Sequence, residues 1–437
     1  MRLVSTRGAG VGDTVGFRQA IFTGLAPDGG LYVPAAVPQL GGLLSRFGTG
    51  DSFLQVSQQV AAALFGEDFP RPEAVERVVR SAFPFEPRLR SLEPGLELLE
   101  LFHGPTCAFK DFGAAFLAAV MEEFLLEERR QALILVATSG DTGSAVAQAF
   151  HRRNNIEVVI LYPSGRVSSL QEQQLTTIGD NVTALEVGGN FDDCQRLAKQ
   201  AFLDRELSAA LPLTSANSIN PGRLLPQAFY YIYGRSRFPA REPVVICVPS
   251  GNFGNLTAGV YAWQWGLPVS RFLAATNLND VVPEYLRTGS FRPRASLKTL
   301  SNAMDVGNPS NFERLLAVFG GELEKMRAAI EGVRVDDNQT RATIRAVYSQ
   351  AGVLLDPHTA VGVLACREYR QRTGYTGTIL SLATAHPGKF VEVVEEATGL
   401  RPELPRELRE ALRRPKRSVP IGPELRELKS YLLERYA

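Results

Sequence analysis

Six short apolar runs punctuate this chain: Leu133 to Ala137, Val158 to Tyr162, Thr183 to Val187, Val244 to Val248, Phe272 to Thr276 and Thr378 to Ala383. Amphipathic windows with helical spacing separate them. That rhythm predicts an α/β fold with mostly parallel strands. Sheets of this kind hold ligands at the carboxyl ends of their strands, where each loop leads into the next helix. Before about residue 95 the pattern differs. Short helical pieces are broken by Gly and Pro, and Ala26-Pro27-Asp28-Gly29-Gly30-Leu31-Tyr32-Val33-Pro34 reads as a turn and a short strand. The expected organisation is a cap region over 1–95, a large domain over 96–135 and 226–437, and a small domain over 136–225. The Glu/Arg run from Pro402 to Arg417 reads as a solvated helix and linker, and Pro423 to Tyr436 as a helix packed back onto the body.

With 437 residues, 45% of them hydrophobic, and a net charge of +1, the chain has enough apolar material for a large core. Near-neutral balance leaves no electrostatic footprint for nucleic acid or an anionic membrane. No apolar stretch approaches the roughly 20 residues needed to cross a bilayer. Cys107, Cys194, Cys247 and Cys366 lack paired spacing, and no signal peptide precedes Met1-Arg2-Leu3, so a reducing cytoplasm is expected.

Only seven of the 47 basic residues are lysine. Arginine cannot lose its proton and attack a carbonyl, whereas a partly desolvated lysine can. Lys110 stands out among the seven. It follows His103-Gly104-Pro105-Thr106-Cys107, and Phe109, Phe112, Phe116, Val120 and Phe124 mark the buried stripe of a helix that begins beside it.

Four loops could carry chemistry. Thr138-Ser139-Gly140-Asp141-Thr142-Gly143-Ser144 follows the first apolar run and opens a small-residue helix, whose unpaired N–H groups and positive dipole end suit a carboxylate or phosphate. Ser250-Gly251-Asn252-Phe253-Gly254-Asn255 follows the Val244 to Val248 run as a candidate phosphate nest. Asn217-Ser218-Ile219-Asn220-Pro221-Gly222-Arg223 places amides, a hydroxyl and an arginine where a phosphate could be gripped. Thr384-Ala385-His386-Pro387-Gly388-Lys389-Phe390 ends the last run. No Walker loop occurs, and Gly8-Ala9-Gly10-Val11-Gly12-Asp13 only resembles a dinucleotide fingerprint. The four histidines make no His-x-x-x-His pair, so no metal site is expected, and His358 and His386 read as structural groups. No Gly-x-Ser-x-Gly elbow points to a hydrolase.

A lysine able to form a Schiff base, a phosphate nest and a strand-end hydroxyl are the parts a pyridoxal phosphate site needs. These segments, with Gly24 to Pro34, Met304 to Arg314 and Asp356 to Ala360, resemble the longer class of the threonine synthase family, of fold type II, over nearly the whole chain. The resemblance implies a tryptophan synthase β-like architecture: two open, mostly parallel sheets flanked by helices, plus an N-terminal cap region. It implies pyridoxal 5'-phosphate held through Lys110, its phosphate on the backbone of Gly251, Asn252, Phe253, Gly254 and Asn255, and its ring nitrogen facing Thr384. Thr138, Ser139, Asp141 and Thr142 would receive the substrate's carboxylate, with the acidic Asp141 side chain turned away to cap the helix. Asn217, Ser218 and Arg223 would grip its phosphate.

The implied reaction converts O-phospho-L-homoserine and water to L-threonine and phosphate, with Lys110 moving the protons. Cys107 departs from the aliphatic residue expected in the family and leaves thiol sensitivity beside Lys110 open. Allosteric activation by S-adenosylmethionine is not expected. Two alternatives stay open: a phospho-lyase with the same site that releases a 2-oxo acid and ammonia, and a non-catalytic metabolite-binding homologue. A monomer or small homo-oligomer is expected.

Overall fold

The computed structural model describes residues 1–8 and 14–437. Ala9 to Asp13, most of the fingerprint-like stretch, lie outside the described residues.

The chain opens with a small antiparallel sheet of β1 (Arg2–Ser5), β2 (Val15–Gly16) and β3 (Tyr32–Pro34). It then lays down β4 (Arg88–Glu93) and β5 (Leu96–Glu100), and crosses over to form β6 (Ala132–Ala137), β7 (Ile156–Pro163), β8 (Val182–Val187) and β9 (Leu213–Thr214). It returns for β10 (Val244–Pro249), β11 (Arg271–Thr276), β12 (Ile330–Arg334) and β13 (Thr378–Ala383), and crosses back for β14 (Val419–Ile421). The larger sheet has the order β12-β11-β10-β13-β5-β4 and is parallel except for the β4–β5 pair. The smaller, β14-β8-β7-β6-β9, is parallel throughout.

All six apolar runs are strands, each within two residues of its expected ends. Their side chains are buried on both faces because helices cover both sides of each sheet, which is why these strands show no alternation. Sheet membership also moves segments across the expected domain edges. β4 belongs to the larger sheet, β6 begins at Ala132, and β14 joins the smaller sheet together with the Leu425–Tyr436 helix, whose Leu428 and Leu432 pack with Leu185, Leu197 and Leu207. The charged run does contain a helix, Arg406–Arg413, anchored by the buried Leu408.

The Lys110–Glu128 helix lies at the centre. Its sequence suggested one apolar stripe, yet every residue from Asp111 to Met121 is buried. The Pro72–Ala82 helix, the Asp141–Phe150 helix and the Pro221–Leu224 turn pack around it and leave no solvated face. The N-terminal region is therefore more than a cover. Phe53 meets Phe112 edge-on at 5.4 Å, Phe65 lies 5.7 Å from Phe116, and Phe69 lies 4.8 Å from Phe124, so it completes the core around this helix. Among the described residues no helix is long and apolar enough to cross a membrane.

Gly113 shows how closely the parts approach. A Cβ there would overlap the backbone carbonyl of Arg223, a contact neither helix can relieve by a rotamer change. Gly113→Ala is expected to cost about 1–3 kcal/mol in urea denaturation. Gly42→Ala, in a short helix with open space around it, is expected to be neutral within about 1 kcal/mol.

Candidate active site

Lys110 is placed by backbone pairing. After β5, Leu101 N–H donates to the Ala383 carbonyl at 2.9 Å; past the Gly104 turn, Ala108 bridges Ala385, Phe109 N–H donates to Thr384 O at 2.9 Å, and His386 N–H donates to Cys107 O at 3.0 Å. The turn is closed by Asp111, whose carboxylate accepts from Thr106 N–H at 2.8 Å and from the Thr106 hydroxyl at 2.5 Å. Burial pushes the Asp111 carboxyl up to about 6 against these hydrogen bonds. Lys110 thus stands at the carboxyl ends of β5 and β13. Its half-buried amine has no hydrogen-bond or ion-pair partner among the described residues. Burial holds it below the usual lysine range, with Arg223 and Lys389 adding to the effect and Asp141 opposing it.

In the loop after β6, Thr138 does the capping. Its hydroxyl oxygen accepts from Gly140 N–H at 3.0 Å and Gly143 N–H at 2.8 Å. Asp141 does not cap, contrary to the expectation, because it has a stronger partner. Its Oδ1 lies 2.9 Å from Lys389 Nζ and 3.0 Å from Gln171 Nε2. Burial alone would raise its carboxyl, but the charges of Lys389 and Lys110 outweigh that and hold it well below the usual carboxylate range. The hydroxyls of Ser139, which is exposed, and Thr142, half-buried, remain free of side-chain hydrogen bonds.

After β10 the backbone turns sharply. A Cβ on Gly251 would lie 2.6 Å from Met304 Cα, and Phe253 holds a left-handed φ of 61° just before the Gly254–Gln264 helix. The N–H groups of Gly251 to Asn255 find no acceptor among the described residues, which leaves them free to meet an anion. The two amide side chains serve the scaffold instead. Asn252 donates to Ser218 Oγ at 2.9 Å and accepts from Ser310 N–H at 2.7 Å, while Asn255 Oδ1 accepts from the hydroxyls of Tyr230 and Tyr231, both at 2.7 Å. Asn255 Nδ2 is buried without a partner.

Arg223 is 3% exposed. One Nη donates to Ala216 O at 2.9 Å, Nε has no partner, and no carboxylate pairs with it; burial brings it down to about 10. Asn217 Oδ1 is likewise buried and unpaired. Arg314, which the sequence reading did not single out, shapes this loop from behind. Fully buried, it donates to the carbonyls of Ser218 at 3.2 Å, Ile219 at 2.5 Å and Tyr32 at 3.0 Å. Its place in an ordinary amphipathic stretch gave no sign of this. Thr384, 5% exposed at the end of β13, makes no side-chain hydrogen bond. His358 is structural: Nε2 accepts from Ala303 N–H at 3.1 Å, which puts the proton on Nδ1, facing Asp356 at 2.8 Å.

These features fit pyridoxal phosphate and a phosphate-bearing substrate. Unpaired nest N–H groups, the orphaned Arg223 Nε and a depressed lysine are costly to bury without an anion and an electrophile to meet them. The surroundings of Cys107 argue against the thiol sensitivity that the sequence left open there. It is buried at a left-handed φ of 56°, and burial pushes its thiol up to about 12. All four cysteines are free and buried, so a thiol reagent is expected to modify none in the folded protein and all four after denaturation, as counted by intact mass.

Comparison with known proteins shows the family. The family model for pyridoxal-phosphate-dependent enzymes matches residues 95–385, that for the threonine synthase N terminus residues 2–83, and that for the threonine synthase C-terminal region residues 359–432. Threonine synthase of Haemophilus influenzae is 41% identical over 97% of both chains, and that of Escherichia coli 43% identical over 91% of this chain and 92% of its own. The crystal structure of pyridoxal-phosphate-bound threonine synthase from Brucella melitensis superposes with a TM-score of 0.92 at 38% identity, covering 99% of both chains. Over nearly its whole length, the chain belongs to the threonine synthase family of pyridoxal-phosphate-dependent enzymes.

Proposed function

We propose that this enzyme converts O-phospho-L-homoserine and water to L-threonine and phosphate, with the depressed, unpaired Lys110 as its central group. What supports the reading is that two candidate anion grips lie near that amine: the Gly251 to Asn255 turn follows β10, the neighbour of the β13 strand at whose end Lys110 stands, and Lys110 feels the charge of Arg223. One grip suits the phosphate of the cofactor and the other that of a substrate.

Pyridoxal phosphate, when bound, supplies the electron sink for negative charge developing on the substrate's carbon chain, with Thr384 as the neutral partner of its ring nitrogen. The remaining work belongs to the chain. The helix N-terminus at Asp141, with the hydroxyls of Ser139 and Thr142, receives the substrate carboxylate, and Thr138 holds that loop rigid. Arg223, Asn217 and Ser218 hold the phosphate ester, which fixes Cγ and draws the leaving charge as the Cγ–O bond breaks. Lys110 takes the Cα proton and one Cβ proton, the latter as the Cγ–O bond breaks, delivers a proton to Cγ and, after water has added at Cβ, returns one to Cα. Phosphate kept on Arg223 stays close enough to take a proton from that water.

We also place closure of the site between a unit built on the larger sheet and one built on the smaller, the latter being the 136–225 segment extended by β6 and by the C-terminal β14 and its helix. A cytoplasmic location is consistent with four free cysteines.

Incubation of the purified protein with O-phospho-L-homoserine is expected to release threonine and phosphate in equal amounts; 2-oxobutanoate without threonine would contradict the reading. Lys110→Ala should lower turnover by at least about a thousandfold. Arg223→Met, which removes a charged hydrogen bond to the phosphate, should lower kcat/KM by about 10–100-fold.

A further inference from the structure

Lys389 has no part in the roles assigned so far, yet its side chain is 0% exposed and its ammonium has two partners. It lies 2.9 Å from Asp141 Oδ1 and donates to the carbonyl of Thr106 at 2.9 Å. Thr106 belongs to the turn that carries Lys110, Asp141 to the loop after β6, and Lys389 to the turn Pro387–Lys389 after β13. One buried ammonium therefore ties together the three loops that surround the cofactor lysine.

The cluster holds two amines and one fully ionised carboxylate. Asp141 feels the charge of both Lys389 and Lys110, and in a poorly solvated site it will pair with whichever is available. Pairing with Lys110 would keep the proton on that amine and hold it in place. Instead Oδ1 is taken by Lys389 and Gln171, and Lys110 is left without a partner. We propose that Lys389 is a positioning residue for Lys110: by occupying Asp141 and Thr106 it keeps the carboxylate off the cofactor lysine and leaves that amine free to lose its proton.

The charges facing Lys110 bear this out. Asp141 opposes its deprotonation from the start of one helix, while Arg223 from the Pro221–Leu224 turn and Lys389 from the Pro387–Lys389 turn favour it. On its own helix Asp111 is locked to Thr106, and with its carboxyl pushed to about 6 it is ionised above pH 7. Burial brings the neighbouring Arg223 to about 10, so the signal followed above that pH is acylation of the Lys110 amine itself.

The proposal rests on Lys110 being the cofactor lysine, but its test uses neither substrate nor turnover. In the full-length chain freed of cofactor, acylation of Lys110 by trace acetic anhydride, followed from pH 7 to 11 by peptide mass spectrometry, gives the pH midpoint of that amine. Lys389→Met should raise the midpoint by roughly one to three units, slowing acylation at pH 8 about tenfold or more. Asp141→Asn should lower it, and adding Asp141→Asn to Lys389→Met should bring the raised midpoint back to the wild-type value or below. A purely structural Lys389 would leave the midpoint unmoved in Lys389→Met, whereas Asp141→Asn lowers it in either case by removing the carboxylate's charge. An unchanged midpoint in folded Lys389→Met, or a raised one that persists in the double variant, overturns the proposal. Should Lys389→Met not fold, Lys389→Gln, which keeps a donor for the Thr106 carbonyl without the charge, takes its place, and an unchanged midpoint there also overturns the proposal. Because product formation plays no part, a failed product assay and an unchanged midpoint remain separate results.

Discussion

Backbone hydrogen bonds between the Cys107 to Phe109 segment and the Thr384 to His386 segment hold the site in register. They attach the turn carrying Lys110 to the end of a central strand, so the start of the Lys110–Glu128 helix cannot shift without unpairing that strand's exit. The helix then passes so close to Arg223 that only glycine fits at position 113. The backbones at Lys110 and Arg223 are thereby held to one rigid element, and their spacing is set by close packing rather than by side-chain choice.

The electrostatics follow from that geometry. Burying Arg223 and Arg314 without a paired carboxylate is unfavourable unless every donor finds an acceptor. In Arg314 each of the three nitrogens donates, to three carbonyls and Asn311 in all, which explains how a full charge is tolerated where it only supports a loop. Arg223 does not, since its Nε has no acceptor among the described residues, an unmet donor of the kind an anion would satisfy. The same logic separates the two buried lysines. Lys389 is matched by Asp141 and Thr106, whereas Lys110 is left unmatched and depressed.

Much of this was legible in the sequence for physical reasons. Strands buried on both faces show as continuous apolar runs, so six were found nearly to the residue. Lys110 was found because lysine is scarce here and because aromatic spacing marks the helix behind it. The four loops were found because glycine and short polar residues crowd the strand exits. What escaped notice depends on contacts between distant segments. The Asp141–Lys389 pair joins residues 248 positions apart, and nothing local tells Asp141 to ignore the helix N-terminus beside it. Burial of Arg314 depends on carbonyls from residues 32, 218 and 219. β14 is three residues long and gains its place only by pairing with β8. The N-terminal region read as a cap because its glycines and prolines break it up, although its phenylalanines complete the core.

The central claim is that one amine, Lys110, holds the cofactor while the other buried amine of the site, Lys389, is withheld from it by Asp141. Borohydride reduction of the protein saturated with pyridoxal phosphate, followed by peptide mapping, tests this most directly, because reduction fixes the pyridoxal group onto whichever amine carries it. The account predicts a single modified peptide containing Lys110. Modification at Lys389, or no modified lysine at all, would contradict it.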